Sequence, residues 1–411
     1  MMDFAKKIFR GDRVVWMIFL FLCLISIIEV YSASSMLTFR TDYWLPIMKH
    51  TMFLLMGTVL VLLVHSISPK YFWIFVVMLP FVWVLLVATQ FMGETVNGAK
   101  RYIFGFQPSE LAKLCLIACV AFILSRQKSE KSKSLGFKWI WVLTILTCLL
   151  ILRDNFSTGA ILYAVIVIMM FIGQVSFKRI GILIVVTFTF ITLLFAFMWF
   201  FPDTAKKIPV LNRGVVWIER LNNYNERPDI RKGDYVVTDE NFQTTHANVA
   251  VARGGIFGKM PGNGQQRDFL PQAYSDFIYA IIIEETGIVG GIFVLSLYVF
   301  LFIRAGVIAG RCRKLFPKYL VIGCTLMMVT QALINMAVSV GLMPVTGQPL
   351  PLISKGGSSI LITCVFIGII LSVSRFENPR GVLQEEEIAE EFEEEKRLST
   401  EDEQLSPQTI Y

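Results

Sequence analysis

The residues that could do chemistry here are charged and hydroxyl side chains set into apolar stretches, and they fall into three groups. The first is Gly98-Ala99-Lys100-Arg101-Tyr102 followed by Gln107-Pro108-Ser109-Glu110-Leu111-Ala112-Lys113. Pro108 suits the first turn of a helix, and a spacing of three puts Glu110 and Lys113 on one helical face. The second is Asp276 with Glu284 and Glu285, at the edge of and inside an apolar run. Asp276, Ala280 and Glu284 follow i, i+4, i+8, so one face carries both acids, with Glu284 expected about 12 Å deeper at 1.5 Å per residue. The third is the Pro- and Gly-rich stretch from Met343 to Ser359, which carries Lys355, Ser358 and Ser359.

An ionised side chain near the bilayer centre costs roughly 2.5–3.5 kcal/mol, so such residues face a polar cavity or a partner charge. An acid at the membrane rim touches water on one side and a low-dielectric wall on the other, which raises its pKa toward general-base work. Lys355, Ser358 and Ser359 suit an anionic headgroup. Each group also has a plainer reading: a Glu110–Lys113 pair that satisfies itself, a helix cap supplied by Ser275 or Asp276, and a rigid connector. Taken together they describe an outward-facing cavity lined by Lys113, Asp276 and Lys355.

The elements that must position them are membrane helices. The chain of 411 residues is 55% hydrophobic and 17% charged, with 34 Phe and a mean hydropathy of +0.63. These values exclude an ordinary soluble globule and predict an all-α polytopic membrane protein. Spans of about 20 residues are expected near 14–34, 48–67, 71–91, 109–125, 139–153, 159–174, 180–201, 276–303, 319–343 and 357–375, ten in all. The first could be a signal peptide ending at Ser32-Ala33-Ser34, but its length and the spans that follow favour a membrane helix.

Short loops on the N-terminal side carry Lys6, Lys7, Arg10, Arg13, Lys70, the basic run Arg126–Lys138, Lys178, Arg179 and the run Arg304–Lys318, whereas the opposite short loops hold only Arg40, Lys49, Lys100, Arg101, Arg153 and Lys355. The positive-inside rule then predicts both termini in the cytoplasm. The net charge of +7 belongs to this asymmetry, and nucleic-acid binding is not expected. The organisation expected is a cytoplasmic segment 1–13, a membrane domain 14–376 with a large outer loop at 202–275, and a Glu-rich cytoplasmic tail at 377–411. In the outer loop, Val215, Val216, Ile218 and Leu221 set against Arg213, Glu219 and Arg220 predict an amphipathic helix. The seven cysteines form no CxxC, and all but Cys312 lie in apolar runs, so no disulfide framework is expected.

The order and spacing of Gly98–Tyr102, Gln107–Lys113, Gly254–Gly258, Phe269–Phe277, Glu284-Glu285-Thr286-Gly287 and Pro344–Ser359 resemble the SEDS family (shape, elongation, division and sporulation) up to about residue 380. The sequence departs from the common family pattern at Lys100, Tyr102, Tyr274-Ser275 and Lys355. Within the family it is more similar to the division branch than to the elongation branch. The resemblance implies a membrane glycosyltransferase that polymerises lipid II into β-1,4 glycan on the outer face of the cytoplasmic membrane. Asp276 matches the family's essential acid, with Lys113 and Glu110 as further catalytic candidates. Arg101, Lys100, Ser109, Lys355, Ser358 and Ser359 are the expected substrate contacts. The family is associated with Mg²⁺ or Mn²⁺, although no cluster here has dedicated ligand spacing, and the metal ligands are left unassigned; such an ion would bind through substrate phosphates.

Expected partners are a class B penicillin-binding transpeptidase, met on Ile292–Phe302 and Leu326–Val340, and other membrane proteins of the divisome. A lipid II flippase, an elongation polymerase and a non-catalytic scaffold are the alternatives. The topology has a direct check: Asn241→Cys should be labelled from outside intact cells and Gln384→Cys only after permeabilisation, and the reverse pattern would overturn the outward-facing site.

Overall fold

A computed structural model describes residues 10–33, 45–96, 99–127, 129–152, 155–201, 214, 216–218, 220–222, 224, 241–270 and 274–376. The acidic tail, the extreme N-terminus and residues 202–213 and 225–240 of the outer loop lie outside them. Apolar helices dominate: α1 Arg13–Ala33, α2 Leu45–Ser66, α3 Ile74–Met92 entered through a 3₁₀ turn at Pro69–Trp73, α4 Pro108–Ser125, α5 Glu130–Leu152, α6 Phe156–Ile172, α7 Phe177–Phe200, α8 Phe242–Gly254, α9 Ile278–Arg311, α10 Leu315–Ser339 and α11 Gly357–Phe376. Nine candidate spans among the described residues are long and apolar enough to cross a membrane. The tenth expected span is α6, whose 17 residues reach about 26 Å, the lower limit for crossing. Apart from α8, every helix coincides with an expected span.

Three helices form the enclosed centre. α4, α10 and α11 are the most buried, and along α4 the run Leu114–Ala121 is wholly inside. α7 is the least covered, with Val185, Phe188 and Leu193 facing outward. One end of the bundle is tied by Asp12. Its carboxylate caps α1 through the N–H groups of Val14 and Val15 (3.0 and 3.2 Å) and pairs with Arg304 of α9 at 2.7 Å, while its own N–H donates to Ser374 of α11 at 2.7 Å.

Two features of the opposite end were not expected. Glu94–Val96 and Ala99–Tyr102 pair as an antiparallel hairpin, β1 and β2, so the all-helical expectation needs this one amendment. The short turn after it, closed by reciprocal Ile103–Phe106 backbone bonds of 2.9 Å, delivers the chain to the start of α4.

The second feature is a break in α9. Gly287 has φ +73° and ψ −176°, which removes the helical bonds that would join the carbonyls of Glu284 and Glu285 to the N–H groups of Ile288 and Val289. The loop after α8 takes up all four groups. Lys259 and Met260 donate to the carbonyls of Glu284 and Glu285 (3.0 and 2.8 Å), and Gly255 and Ile256 accept from Ile288 and Val289 (3.0 and 3.3 Å). Backbone groups freed inside a membrane bundle have to find partners in the protein or in ordered water, and here the loop supplies all four.

The break also revises the expected depth of Glu284. Glu285 accepts a hydrogen bond from Ser32, next to last in α1. Ala33, the last residue of α1, shares an apolar cluster with Phe277, Ala280 and Ile281. The Tyr279 hydroxyl donates to the Gly291 carbonyl at 3.0 Å, a contact across twelve residues that a straight helix, rising about 18 Å over that span, does not allow. The stretch therefore turns back at the break instead of continuing the axis of α9, so the roughly 12 Å of added depth expected for Glu284 does not follow. Glu284 instead binds the N–H groups of Gln265 and Gln266, each at 3.1 Å, and Arg267 sits between Ser32 and Glu285, 2.7 Å from the hydroxyl and 3.7 Å from the carboxylate.

Close backbone approach is what the glycines here supply. A Cβ on Gly258 (φ +74°) would lie 2.3 Å from the carbonyl oxygen of Glu285, whereas one on Gly262 (φ +87°) would meet nothing within 4 Å. Gly262→Ala should thus cost only its left-handed strain, about 1–2 kcal/mol, and Gly258→Ala should add to that an overpacking cost of about 1–3 kcal/mol. Thermal unfolding in detergent checks the ranking, and equal melting temperatures would show that the loop does not bear on α9.

Candidate active site

A cavity of about 240 Å³ opens at this end, lined by Arg101, Tyr102, Gln107 and Glu110, by Asn155–Thr158, by Val216, Trp217 and Arg220, by Ser275 and Asp276, and by Thr346–Pro349 and Lys355–Ser359. Its walls are largely helix beginnings. Gln107 precedes α4, Asn155 caps α6 by accepting from the N–H of Thr158 at 3.3 Å, Asp276 lies just before α9, and Gly356 just before α11. The amide ends of four helices thus face one space, and each end carries about half a positive charge. Arg101, Arg220 and Lys355 add three full ones. Such a surface favours an anion, phosphate above all.

Asp276 is half-buried on the cavity wall. The helix-cap reading does not hold, because Phe277 occupies the cap position of α9 with no side-chain cap bond. The carboxylate instead accepts from the Ser275 hydroxyl at 3.0 Å. Burial pushes its carboxyl above the usual carboxylate range, with the Ser275 bond and the charges of Arg101 and Arg220 pulling the other way. A basic carboxylate that still faces an open cavity suits proton abstraction from a substrate hydroxyl.

Glu110 also reaches the cavity, but Lys113 stands behind it and does not line the wall. The Lys113 ammonium is buried, 2.7 Å from Glu110 and 3.3 Å from the Gln331 amide oxygen. This placement corrects the expectation that Lys113 lines the cavity: Lys113 holds Glu110 and is itself held by α10. Lys100 and Ser109 are likewise off the wall. The Lys100 ammonium donates to the Phe91 carbonyl at 3.0 Å, and the buried Ser109 hydroxyl accepts from Gln107 at 3.0 Å.

Lys355 lines the cavity with its ammonium 4.8 Å from the centre of the Tyr274 ring. Burial, and after it the charge of Lys49, pushes its pKa below the usual lysine value, so a bound anion would relieve it. Ser358 and Ser359 line the cavity at the start of α11, and the Ser358 hydroxyl accepts from the Gln107 N–H at 3.2 Å, fastening α11 to α4.

Several lining residues escaped the sequence reading. Arg220 donates to the Val345 carbonyl at 2.9 Å, and Trp217 packs on Phe156 with ring centres 5.2 Å apart, so the described part of the outer loop roofs the cavity. The expected amphipathic pattern carried Arg220 as a solvent face, while Val215, Glu219 and Arg213 lie outside the described residues. Gln348 donates to Thr158 at 2.9 Å. The signal for that wall was the Asn-Phe-Ser-Thr start of an apolar run, a capping pattern.

Among the described residues no three His, Cys, Asp or Glu side chains converge, and the cavity's two carboxylates, Asp276 and Glu110, come from different helices with Glu110 already paired. This donor set does not fit a resident Mg²⁺ or Mn²⁺ held by the protein.

The model of the FtsW/RodA/SpoVE family, described as cell cycle protein, matches residues 12–379. The chain belongs to this family. Among FtsW/RodA/SpoVE relatives, the probable peptidoglycan glycosyltransferase FtsW of Saccharophagus degradans is 33% identical over 371 residues, covering 85% of this chain and 89% of that one. Its counterpart in Marinobacter nauticus is 36% identical over 300 residues, 71% of this chain and 70% of that one. Two solved structures share the fold. A chain from a peptidoglycan synthase complex described as coordinating polymerization and crosslinking aligns with a TM-score of 0.67 at 22% identity, over 90% of this chain and 99% of that one. The rod shape determining protein RodA of Thermus thermophilus aligns with a TM-score of 0.58 at 21% identity, over 89% and 97%.

The raised Asp276 pKa carries a stability consequence. An acid held above its ordinary value favours folding while protonated, and that contribution is lost as pH rises from about 3.9 through the raised value. Asp276→Asn should therefore melt higher than the parent at pH 7, with the difference vanishing near pH 4. Equal melting at both pH values would mean that the Asp276 carboxylate is not desolvated.

Proposed function

We propose that the protein is a peptidoglycan glycosyltransferase that polymerises lipid II on the outer face of the cytoplasmic membrane during division, with both termini and the acidic tail in the cytoplasm. The observation that carries this reading is the half-buried Asp276, beside a Glu110 already paired with Lys113, in a space bordered by Arg101, Arg220, Lys355 and the beginnings of α4, α6 and α11. The names of the FtsW relatives and the residue pattern of the membrane-facing motifs support it.

In this reading the 4-hydroxyl of an incoming lipid II attacks the anomeric carbon of the growing strand. The new C–O bond forms as the bond to the lipid pyrophosphate breaks, with inversion at that carbon, and Asp276 takes the hydroxyl proton. Arg101, Arg220, Lys355 and the amide ends of α4, α6 and α11 receive the departing negative charge, which grows in the transition state. Ser358 and Ser359 hydroxyls supply further donors. Glu110 forms part of the cavity wall, paired with Lys113 behind it. The volume is at the small end for a binding site, which suits the two reacting ends of long substrates whose remainder lies in the membrane and outside it. No step depends on a metal ion; Mg²⁺ or Mn²⁺, if used, arrives on substrate phosphate.

The flippase alternative is less well supported. A transport route needs polar residues through both leaflets, yet beneath Lys113 the centre of α4 is buried among apolar side chains. The transpeptidase partner is proposed to meet the outward face of α9, where Ile292, Phe293, Phe300 and Phe302 are exposed. The α10 half of the expected surface is withdrawn, because Leu326–Val329 are buried, and in that segment Leu333 is the exposed large side chain.

Purified protein incubated with labelled lipid II, with and without a class B transpeptidase of the source cell, tests the proposal. Glycan ladders should form, and Asp276→Asn should lower turnover by about 10²–10⁴-fold while lipid II binding and co-elution with the transpeptidase persist. A near-parental rate in Asp276→Asn would remove Asp276 from the chemistry and pass the base role to Glu110; movement of lipid II across vesicles without ladders would favour the flippase.

A further inference from the structure

We propose that Asn335, on α10 and outside the cavity wall, is a positioning residue that sets where the Asp276 carboxylate stands. The inference rests on the reading of Asp276 as the general base.

The Asn335 side chain is buried, and its amide nitrogen donates to two carbonyls at once, that of Asp276 at 3.0 Å and that of Gln348 at 2.7 Å. Flipping the amide would set its oxygen against both carbonyl oxygens, so its orientation is fixed by these contacts. The amide oxygen is left buried with no hydrogen-bond partner, a state native structures seldom tolerate without a reason. The Asp276 carbonyl is available because α9 does not use it: the N–H groups of Ala280 and Ile281 both go to Phe277. Ser339, one turn further along α10, reaches the same carbonyl at 3.5 Å.

One turn before Asn335, Gln331 donates to the Pro349 carbonyl at 3.0 Å and accepts from Lys113, the residue that holds Glu110. Residues 331, 335 and 339 form one face of α10 by their spacing of four. That face binds the Asp276 backbone, the Gln348-Pro349 wall and the Lys113–Glu110 pair, so a single rigid helix fixes the acid relative to the opposite side of the cavity. Ser354 fastens the same segment from the other side, donating to the Ser275 carbonyl at 2.6 Å.

The test is the pH profile of lipid II polymerisation by Asn335→Leu, which keeps the side chain's size and removes the donor. Turnover should fall by about 10²-fold, the scale of an ångström of misplacement. The acid limb of kcat/KM should also move to lower pH, because a carboxylate released from its fixed place gains water. An unchanged rate, or a lower rate with the acid limb unmoved, overturns the proposal; the second result marks a purely structural residue. Asn335→Ser, smaller and still a donor, should give the same two changes in weaker form, and it decides the matter in the same way if Asn335→Leu does not accumulate as folded protein. Asp276→Asn measured alongside separates the two readings: if it retains activity the base assignment fails, and if it is inactive while Asn335→Leu keeps rate and profile, only the positioning role fails.

Discussion

The hydrocarbon of a bilayer offers no partner to the backbone of a broken helix, and the site depends on how that constraint is met at Gly287. Four backbone groups freed there are paired with four from the Gly255–Met260 loop, which makes α9 and the loop after α8 a single unit. Without that exchange, the stretch from Phe277 to Thr286 would continue the line of α9 and carry Asp276 beyond the bundle. With it, the stretch turns back over that end of the bundle, and the residues just before it, Tyr274 to Asp276, meet Lys355, Gly347 and α10. The buried carboxylates of Glu284 and Glu285 belong to the same joint: they bind amides of the Gln265-Gln266 turn and the Ser32–Arg267 pair, and they do not enter the cavity.

The field inside the cavity follows from connectivity. Adjacent spans run in opposite directions, so every second helix begins at the same membrane face. α4, α6, α9 and α11 all begin there, and residues at or just before those beginnings border one space with Arg101, Arg220 and Lys355. A soluble fold has to arrange helix ends against a phosphate one at a time; an alternating bundle brings them to one side by construction. Within this field burial still holds the Asp276 carboxyl above the usual carboxylate range despite the neighbouring cations, which is what the proposed base role requires.

Much of this was legible in the residues. Long apolar runs located the helices, and intramembrane charges pointed to Asp276, Glu110 and Lys355. Depth was misread for Glu284, since periodicity assumes an unbroken helix and Gly287 within an apolar run gives little warning of a break. The role given to Lys113 needed tertiary information of another kind: spacing showed that it shares a face with Glu110 but not which of the two reaches the cavity. Arg220 was hidden because an arginine on an amphipathic helix reads equally well as solvent-facing, and only the packing of Trp217 on Phe156 turns that segment over the site. Asn335 gave no signal in the residues, because the two carbonyls it binds are those of Asp276 and Gln348, brought to it only by the fold.

The Glu110–Lys113 pair has a consequence for biogenesis. Its partners sit three residues apart on one helix, so they can meet before any neighbouring span is in place. Two separate charges in the first turns of α4 would each burden its passage into lipid, though by less than the roughly 2.5–3.5 kcal/mol of a charge at a helix centre, and α4 is among the less apolar of the candidate spans, with a mean hydropathy of 1.7. Presented to the insertion machinery as a preformed dipole, they cost less than two lone ions. The later arrival of α10 then gives the Lys113 ammonium its second partner in Gln331. A charge destined for the interior is in this way neutralised locally during synthesis and oriented only on assembly.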